Sequence, residues 1–158
     1  AVGIISADSA LNIPDFRSAE RTFALLTQAA GRAGRGEIEG KVIIQTYNAN
    51  HYVLLASKTH DYEAFYQEEI LYRKQLNYPP FTKLIKLTFY NQEQNIAKEQ
   101  AQDLINELRS NINLEETDLL GPFTPPIEKI NNLYRYNILI KAQSLDSVKK
   151  YLTFAESR

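Results

Sequence analysis

The stretch Asn77-Tyr78-Pro79-Pro80-Phe81 decides how this chain is organised, because it separates two regions with different sequence patterns. Proline has no backbone N–H group, and two prolines in a row end the helix that residues 61–76 predict. We therefore predict an α/β segment over residues 1–60, a connecting helix with its proline stop over 61–77, and an α+β domain over 78–158.

On the N-terminal side of this stretch, predicted strands and helices alternate. Nearly unbroken apolar runs predict strands over residues 2–7 and 41–47, which is typical of parallel strands buried on both faces. Ser18 is a suitable N-cap for a helix over 19–31, and another helix is predicted over about 50–58. This order indicates the tail of an α/β layer. Because the chain opens on a strand and contains no methionine, we expect it to be a piece of a longer protein.

On the C-terminal side, the pattern predicts an α+β domain. Its order, β-α-β-β-α, lacks the last strand that would close such a sandwich. Asn131-Asn132, between two extended arms, predicts a hairpin turn. The predicted elements are a strand over 83–90, a helix over 92–110, arms over 119–130 and 133–142, and a helix from Ser144 to about Glu156.

The composition excludes several classes of protein. With 44% hydrophobic and 23% charged residues, the chain resembles an ordinary globular protein, and its apolar runs are too short to span a membrane. Zero cysteines exclude disulfides and a cysteine-ligated metal site, and two histidines alone are too few for a zinc site. The net charge of −1 gives no global attraction to nucleic acid, so any such contact needs a local basic cluster.

Residues 28–35 carry the most informative motif, Gln28-Ala29-Ala30-Gly31-Arg32-Ala33-Gly34-Arg35. Gln28, Arg32 and Arg35 lie at offsets of 0, 4 and 7, so they share one stripe if the helix persists. A guanidinium group is always charged and its planar fork matches phosphate oxygens. The alternative is a helix end whose arginines serve the dipole and solubility, with Gln28 a surface polar residue. The residues expected to face the sheet are Leu25, Leu26, Ala29 and Ala30.

The motif fits Q-x-x-G-R-x-G-R, which is motif VI of superfamily 2 helicases, and the residues around it make the resemblance more specific. The chain resembles, over essentially all of its length, the C-terminal part of the PriA family of bacterial replication-restart helicases. The residues that carry this resemblance are Pro14-Asp15-Phe16-Arg17-Ser18-Ala19-Glu20-Arg21, Asp61-Tyr62-Glu63-Ala64-Phe65-Tyr66, Arg73, Tyr78-Pro79-Pro80-Phe81, Gly121-Pro122 and Tyr134-Arg135-Tyr136.

The resemblance implies a cytoplasmic, ATP-driven 3′-to-5′ DNA helicase that acts in replication restart and primosome assembly at stalled forks. Residues 1–60 would be the end of a RecA-like second lobe. Residues 78–158 would resemble a small-subunit ribosomal protein fold, without its last strand. The implied partners are forked or branched DNA, single-stranded DNA-binding protein and other primosome proteins. The implied catalytic residues are Arg32 and Arg35, and the implied nucleotide contacts are Gln28, Gly31, Arg32, Gly34 and Arg35.

Other parts of the family pattern are absent from this chain: the phosphate-loop lysine, the DEAH-type motif and the cysteine-rich zinc module. ATP and Mg²⁺ would therefore be bound mostly by another lobe of the parent, and zinc by its cysteine-rich module. We expect no cofactor in this chain and no activity when it is isolated. The alternatives are another superfamily 2 translocase, or a stand-alone nucleic-acid or protein-binding module with an incidental G-R-x-G-R.

A basic cluster is expected at the predicted hairpin. Lys129, Arg135 and Lys141 would lie opposite the tyrosines of the second arm, where they either follow a DNA phosphate backbone or form a solvated face.

Three further groups of polar and aromatic residues allow two interpretations. Asp15 and Arg17 either act with DNA and ATP or form a loop cap and a salt bridge. The ten tyrosines either stack on bases or, for most of them, pack in the core or in an interface. The residues expected on a solvated helix face are Glu63, Glu68 and Glu69.

Overall fold

The computed structural model describes residues 2–33 and 41–156, and it divides the chain into two compact units, Ala1–Gln75 and Leu76–Arg158. The division falls at the end of the helix that precedes the double proline. None of the helices described is long and apolar enough to cross a membrane.

Over residues 2–33 and 41–75, the first unit is a two-stranded parallel sheet with four helices. Val2 pairs with Val42 and Ile4 with Ile44. In chain order the elements are β1 (Val2–Ile4), α1 (Ala7–Leu11), α2 (Ser18–Ala33), β2 (Val42–Ile44), α3 (Tyr52–Thr59) and α4 (Tyr62–Gln75).

The core of the first unit forms where α2, α3 and α4 meet. Phe23 and Leu26 of α2 are buried with Val53 of α3 and Phe65 of α4. The rings of Phe23 and Phe65 stack with their centroids 4.5 Å apart. Each such side chain contributes about 1.5–3 kcal/mol when it leaves water, so these contacts fix which side of α2 is buried.

A polar network joins the same three helices. The Tyr52 hydroxyl donates to Glu69 Oε2 at 2.5 Å, and Arg73 Nε donates to Glu69 Oε1 at 2.7 Å. Arg73 Nη2 also donates to Glu20 Oε2 of α2 at 3.0 Å. Burial raises the pKa of the Tyr52 phenol, and its hydrogen bond to Glu69 raises it further. The expectation that Glu69 lies on a solvated face is wrong, because its carboxylate is buried and neutralised by Arg73.

The segment after β1 differs from the sequence-based expectation. Residues after β1 form the short helix α1 where a loop was expected, and Ser6 precedes it with a φ of 58°. Asp8 holds this helix to the end of β2, since its carboxylate accepts from Thr46 Oγ1 at 2.9 Å and from the backbone N–H of Tyr47 at 3.0 Å. Burial would raise the pKa of Asp8, but these hydrogen bonds outweigh it and the pKa is lowered.

The apolar strands are not buried on both faces. Ile43 remains largely exposed, because within the described residues the two-stranded sheet packs against helices on one side only. Leu25 was expected to face the sheet together with Leu26. Instead it is half exposed and borders a shallow groove with Ala10 and Ile13.

The second unit is an α+β domain, as expected. Its antiparallel sheet has the order β3-β6-β4, and the short β5 pairs with β6. The elements are β3 (Lys83–Asn91), α5 (Gln94–Asn111), β4 (Thr117–Phe123), β5 (Lys129–Ile130), β6 (Leu133–Ala142) and α6 (Asp146–Glu156).

Strand β6 lies in the centre of this sheet and supplies its core. Ile138 and Ile140 are fully buried against Ala101 and Ile105 of α5, and Val148 of α6 joins the same cluster. Both helices therefore lie on one side of the sheet.

The hairpin predicted at Asn131-Asn132 is confirmed. Both asparagines have positive φ, 51° and 65°, which a two-residue turn of this kind requires. The arm before the turn is not one continuous strand, because β4 ends at Phe123 and β5 begins only at Lys129. Pro125 and Pro126 lie in the gap, and proline cannot donate a hydrogen bond to a neighbouring strand.

The buried carboxylate of Glu69 gives a stability prediction. Glu69→Ala removes the acceptor of two hydrogen bonds and leaves the Arg73 guanidinium and the Tyr52 hydroxyl partly buried with fewer partners. We expect the free energy of unfolding to fall by about 2 kcal/mol in urea denaturation. Glu68→Ala, an exposed neighbour on α4, is the control and should change stability by less than about 0.5 kcal/mol. Equal effects of the two substitutions would contradict the network.

Candidate functional site

The turn before α2 fixes where this helix, which carries the motif residues Gln28 to Arg32, begins. Asp15 Oδ1 accepts from the backbone N–H of Arg17 at 2.9 Å, and Asp15 Oδ2 accepts from Arg21 Nη1 at 2.8 Å. The backbone N–H of Ser18 donates to the carbonyl of Asp15, so the helix begins at Ser18 itself. Of the two interpretations of Asp15, the structure shows the loop cap and the salt bridge.

The motif residues that the structure describes share the exposed side of α2. Gln28 and Arg32 are exposed and lie four residues apart, which places their side chains about one helical turn from each other. Gly31 is exposed between them, with open space beside its Cα. The opposite side of the helix carries the buried Phe23 and Leu26. The predicted common stripe is therefore present for Gln28 and Arg32.

Gly34 and Arg35 lie outside the described residues, so their placement stays a prediction. Arg32 lies in the last turn of α2, where the partial negative charge of the helix end favours a cation. Together, Gln28 and Arg32 present an amide and a guanidinium on one surface. Both groups donate hydrogen bonds, and the guanidinium also carries a permanent positive charge, so the pair is suited to an anion such as a phosphate group.

The three basic residues predicted near the hairpin are not brought together. Lys129 is paired with Tyr134 across the hairpin, and its Nζ lies 4.3 Å from the centre of the Tyr134 ring. Successive residues of a strand point to opposite faces, so Arg135 and Lys141 belong to the other face of β6. They are six residues apart along the strand, or about 20 Å. The expectation of one basic patch is therefore wrong in its geometry.

Lys141 and Arg135 also have partners within the second unit. Lys141 is only 9% exposed, its Nζ donates to the carbonyl of Leu76 at 2.8 Å, and it lies 4.0 Å from the centre of the Tyr78 ring. The Arg135 guanidinium donates to the carbonyl of Ile127 through Nε at 3.1 Å and through Nη2. Lys141 therefore stabilises the start of the domain, and Arg135 stabilises the loop before β5.

The tyrosines of the second unit have different environments. Tyr136 is buried in the core, and its hydroxyl accepts from Gln94 Nε2 at 3.4 Å. Core packing does not hold for half of the chain's ten tyrosines, which are exposed: Tyr47, Tyr62, Tyr66, Tyr72 and Tyr90. Tyr90 is 54% exposed on the edge strand β3, directly opposite Arg135. Sequence reasoning did not single out Tyr90. The signal was present, because Tyr90 continues the polar side of β3 that Lys86 and Thr88 begin.

Comparison with known proteins agrees with the arrangement of the second unit. Residues 74–158 match the family described as "Primosomal protein N C-terminal domain". Most of the chain is similar to proteins named "Replication restart protein PriA". The identity is 49% over 140 residues for the Bacillus subtilis protein, covering 89% of this chain and 17% of that protein. For the Borreliella burgdorferi protein it is 40% over 149 residues, covering 94% of this chain and 22% of that protein.

The Synechocystis relative is 44% identical over 147 residues, which is 93% of this chain and 18% of that protein. The chain thus spans about a fifth of the length of the curated relatives that it matches.

The position of Lys141 gives a second prediction. Lys141→Ala removes a hydrogen bond and a cation–π contact from a buried site, and we expect it to lower the free energy of unfolding by about 1–2 kcal/mol. Lys129→Ala, on the exposed hairpin, should stay within about 0.5 kcal/mol. Thermal and urea unfolding followed by circular dichroism measure both. A neutral Lys141→Ala would mean that this lysine does not support the fold.

Proposed function

Because the chain belongs to the family of replication restart protein PriA, we propose that it serves as the C-terminal part of an ATP-dependent 3′-to-5′ DNA helicase. In this proposal the parent protein acts in replication restart and primosome assembly at stalled forks. The observation that carries it is the exposed stripe of α2, where Gln28 and Arg32 lie opposite a buried face.

The proposed role of the first unit is to supply the arginine side of an ATP site from the end of a RecA-like lobe. Arg32 and Arg35 would neutralise charge that develops on the γ-phosphate during transfer, and Gln28 would orient the phosphate or the attacking water. Gly31 and Gly34 carry no side chain that would keep the nucleotide from the backbone. The core contact between Phe23 and Phe65 would hold this surface rigid.

The residues present fit a phosphate group and only part of a nucleotide site. Gln28 and Arg32 offer donors for phosphate oxygens, whereas Mg²⁺ takes oxygen ligands. In this proposal Mg²⁺ and the β-phosphate are held by the parent's other lobe, which carries the phosphate loop. This chain has no cysteine, so a zinc-binding module would also lie elsewhere in the parent.

The proposed role of the second unit is to bind DNA and protein partners. Its α+β arrangement supports a fold like that of a small-subunit ribosomal protein, with the last strand missing. Forked or branched DNA, single-stranded DNA-binding protein and other primosome proteins are the proposed partners. Among the basic residues near the hairpin, Lys129 is the most exposed, and Arg135 is partly exposed beside the loop before β5. Lys129 and Arg135 are the proposed phosphate contacts near the hairpin. Lys141 would contribute only by stabilising the domain.

The arginine role predicts a specific kinetic defect in the full-length protein. Arg35→Ala and Arg32→Ala should each lower kcat for ATP hydrolysis by about 10³-fold or more, because the lost interaction stabilises the transition state. DNA affinity should change little. Arg109→Ala, an exposed arginine in the last turn of α5, is the matched control and should keep normal turnover. Near-normal ATP hydrolysis by the Arg35→Ala protein would remove Arg35 from the site.

The isolated chain is predicted to turn over no ATP. Two arginines and a glutamine provide half of a phosphate site, and nothing in the sequence supplies a phosphate loop. The measurement is phosphate release in the presence of single-stranded DNA, compared with the Arg32→Ala/Arg35→Ala double variant. Turnover above that of the double variant would contradict the proposed division between two lobes.

A further inference from the structure

The second unit has one sheet face that none of its described helices covers. Helices α5 and α6 pack on the side that carries Ile138 and Ile140. The strand residues that alternate with these point to the other side of the sheet, which we call the open face. Residues that face each other across paired strands point to the same side, so the strand register shows which residues belong to it.

The register places the open face in four rows. The first row joins Tyr90 to Arg135, at the end of the sheet near the hairpin. The last row, at the other end, holds the buried Lys141 beside Asp118. The two rows between them are Thr88–Asn137–Phe123 and Lys86–Leu139–Leu120.

Apart from Asp118, the exposed members of this face are aromatic, aliphatic and basic. Tyr90 is 54% exposed, Phe123 41% and Leu120 42%, and Lys86 is exposed in the same row as Leu120. Arg135 lies beside Tyr90. The acidic residue of the face, Asp118, lies at the far end, so the part that carries the rings is positively charged. Protein–protein interface cores are depleted of lysine, whereas single-stranded nucleic acid is bound by aromatic rings flanked by positive charge.

A second, independent observation lies in the same face. Asn137 is 6% exposed, and its side-chain oxygen has no hydrogen-bond partner among the described residues. Buried polar atoms are almost always paired, so an unpaired acceptor between Thr88 and Phe123 calls for a donor from outside. The exocyclic amino group of a nucleobase is such a donor, and unstacked bases are recognised at their edges in this way.

From these features we propose that the open face binds single-stranded DNA, with bases stacked on Tyr90 and Phe123 and the backbone held by Lys86 and Arg135. The inference deepens the proposed DNA-binding role of the second unit and rests on it. Tyr90 and Phe123 lie on the two edge strands, about 10 Å apart across β6, so they take different bases of one strand. Duplex DNA keeps the faces of its bases stacked and does not offer them to these rings.

The test uses the full 158-residue chain and a fluorescently labelled homopyrimidine oligonucleotide of about 16 nucleotides, titrated by anisotropy. Tyr90→Ala should weaken binding about tenfold, which is the usual loss of one stacked base, and Tyr90→Phe should keep the affinity. Tyr47→Ala is the matched control, because Tyr47 is 96% exposed and lies in the first unit. The unlabelled duplex of the same sequence should compete poorly.

The charge contribution is measured separately through salt dependence. Lys86→Ala should lower the slope of log K against log salt by about 0.7, the value for one phosphate contact on a single strand. Lys98→Ala removes an exposed lysine from α5, on the helix-covered side, and should leave the slope unchanged. Because Lys86 is exposed, this variant keeps the test decisive even if circular dichroism shows that Tyr90→Ala does not fold.

Several outcomes would overturn the inference. If Tyr90→Ala and Lys86→Ala bind like the unchanged chain, the DNA contact lies elsewhere and the open face is better assigned to a protein partner. If the unchanged chain binds no oligonucleotide, or binds duplex equally well, the inference also fails. None of these results touches the ATP-hydrolysis test of Arg35→Ala in the full-length protein, so the two proposals fail separately.

Discussion

The burial of Phe23 and Leu26 between α3 and α4 is the constraint on which the first unit depends. A helix with one apolar stripe buries that stripe and leaves the opposite side in water. Since Gln28 and Arg32 lie on the opposite side, the core contacts decide where their donors point. The hydrogen-bonded network of Glu20, Arg73, Glu69 and Tyr52 restricts how the three helices can rotate against each other. Hydrogen bonds require specific geometry, whereas apolar contacts tolerate small rotations. In the proposed role, a surface that contacts a phosphate within hydrogen-bond distance would need both the apolar packing and the hydrogen-bonded network.

The same rule applies to the strands of the second unit. Their side chains alternate between two faces with a period of two residues, whereas those of a helix repeat every 3.6 residues. Strand β6 is central, so the helices bury one of its faces, and the described helices leave the other face uncovered. The shift in register between Leu120 and Phe123 matters here. It lets both of these side chains fall on the open face although they are three residues apart. Gly121 lies at this shift with a φ of 113°, and a Cβ there would lie 2.7 Å from the carbonyl oxygen of Asn137. A residue without a side chain is therefore required for this edge of the face to form.

The sequence predicts most of the fold, because local periodicity carries the information. Regular alternation predicted β6 with its observed ends and β3 to within one residue, and the apolar stripe of α5 predicted that helix to within two residues at either end. Contacts between distant parts of the chain could not be predicted in this way. Glu69 has the sequence environment of an exposed helix residue, and its burial involves a hydrogen bond from Tyr52, which lies on a different helix. Lys141 looks like a surface lysine until the fold brings the carbonyl of Leu76, 65 residues away, to its amino group. The common side of Gln28 and Arg32 was predictable, since it follows from helical geometry alone.

The residues that make the family resemblance specific differ from those of motif VI in the contacts that their side chains make. Asp15 caps the turn before α2, Arg73 neutralises Glu69, and Tyr78 lies against the Lys141 amino group. Their side chains contact other parts of the same unit, so replacing them would act first on stability. Gln28 and Arg32 are exposed, and among the described residues they contribute little to the core. Arg32 is favoured by the helix end that it occupies, and in the proposed role its exposed guanidinium group also contacts a group outside the unit. For a permanently charged fork of donors, an anion such as phosphate is the natural partner.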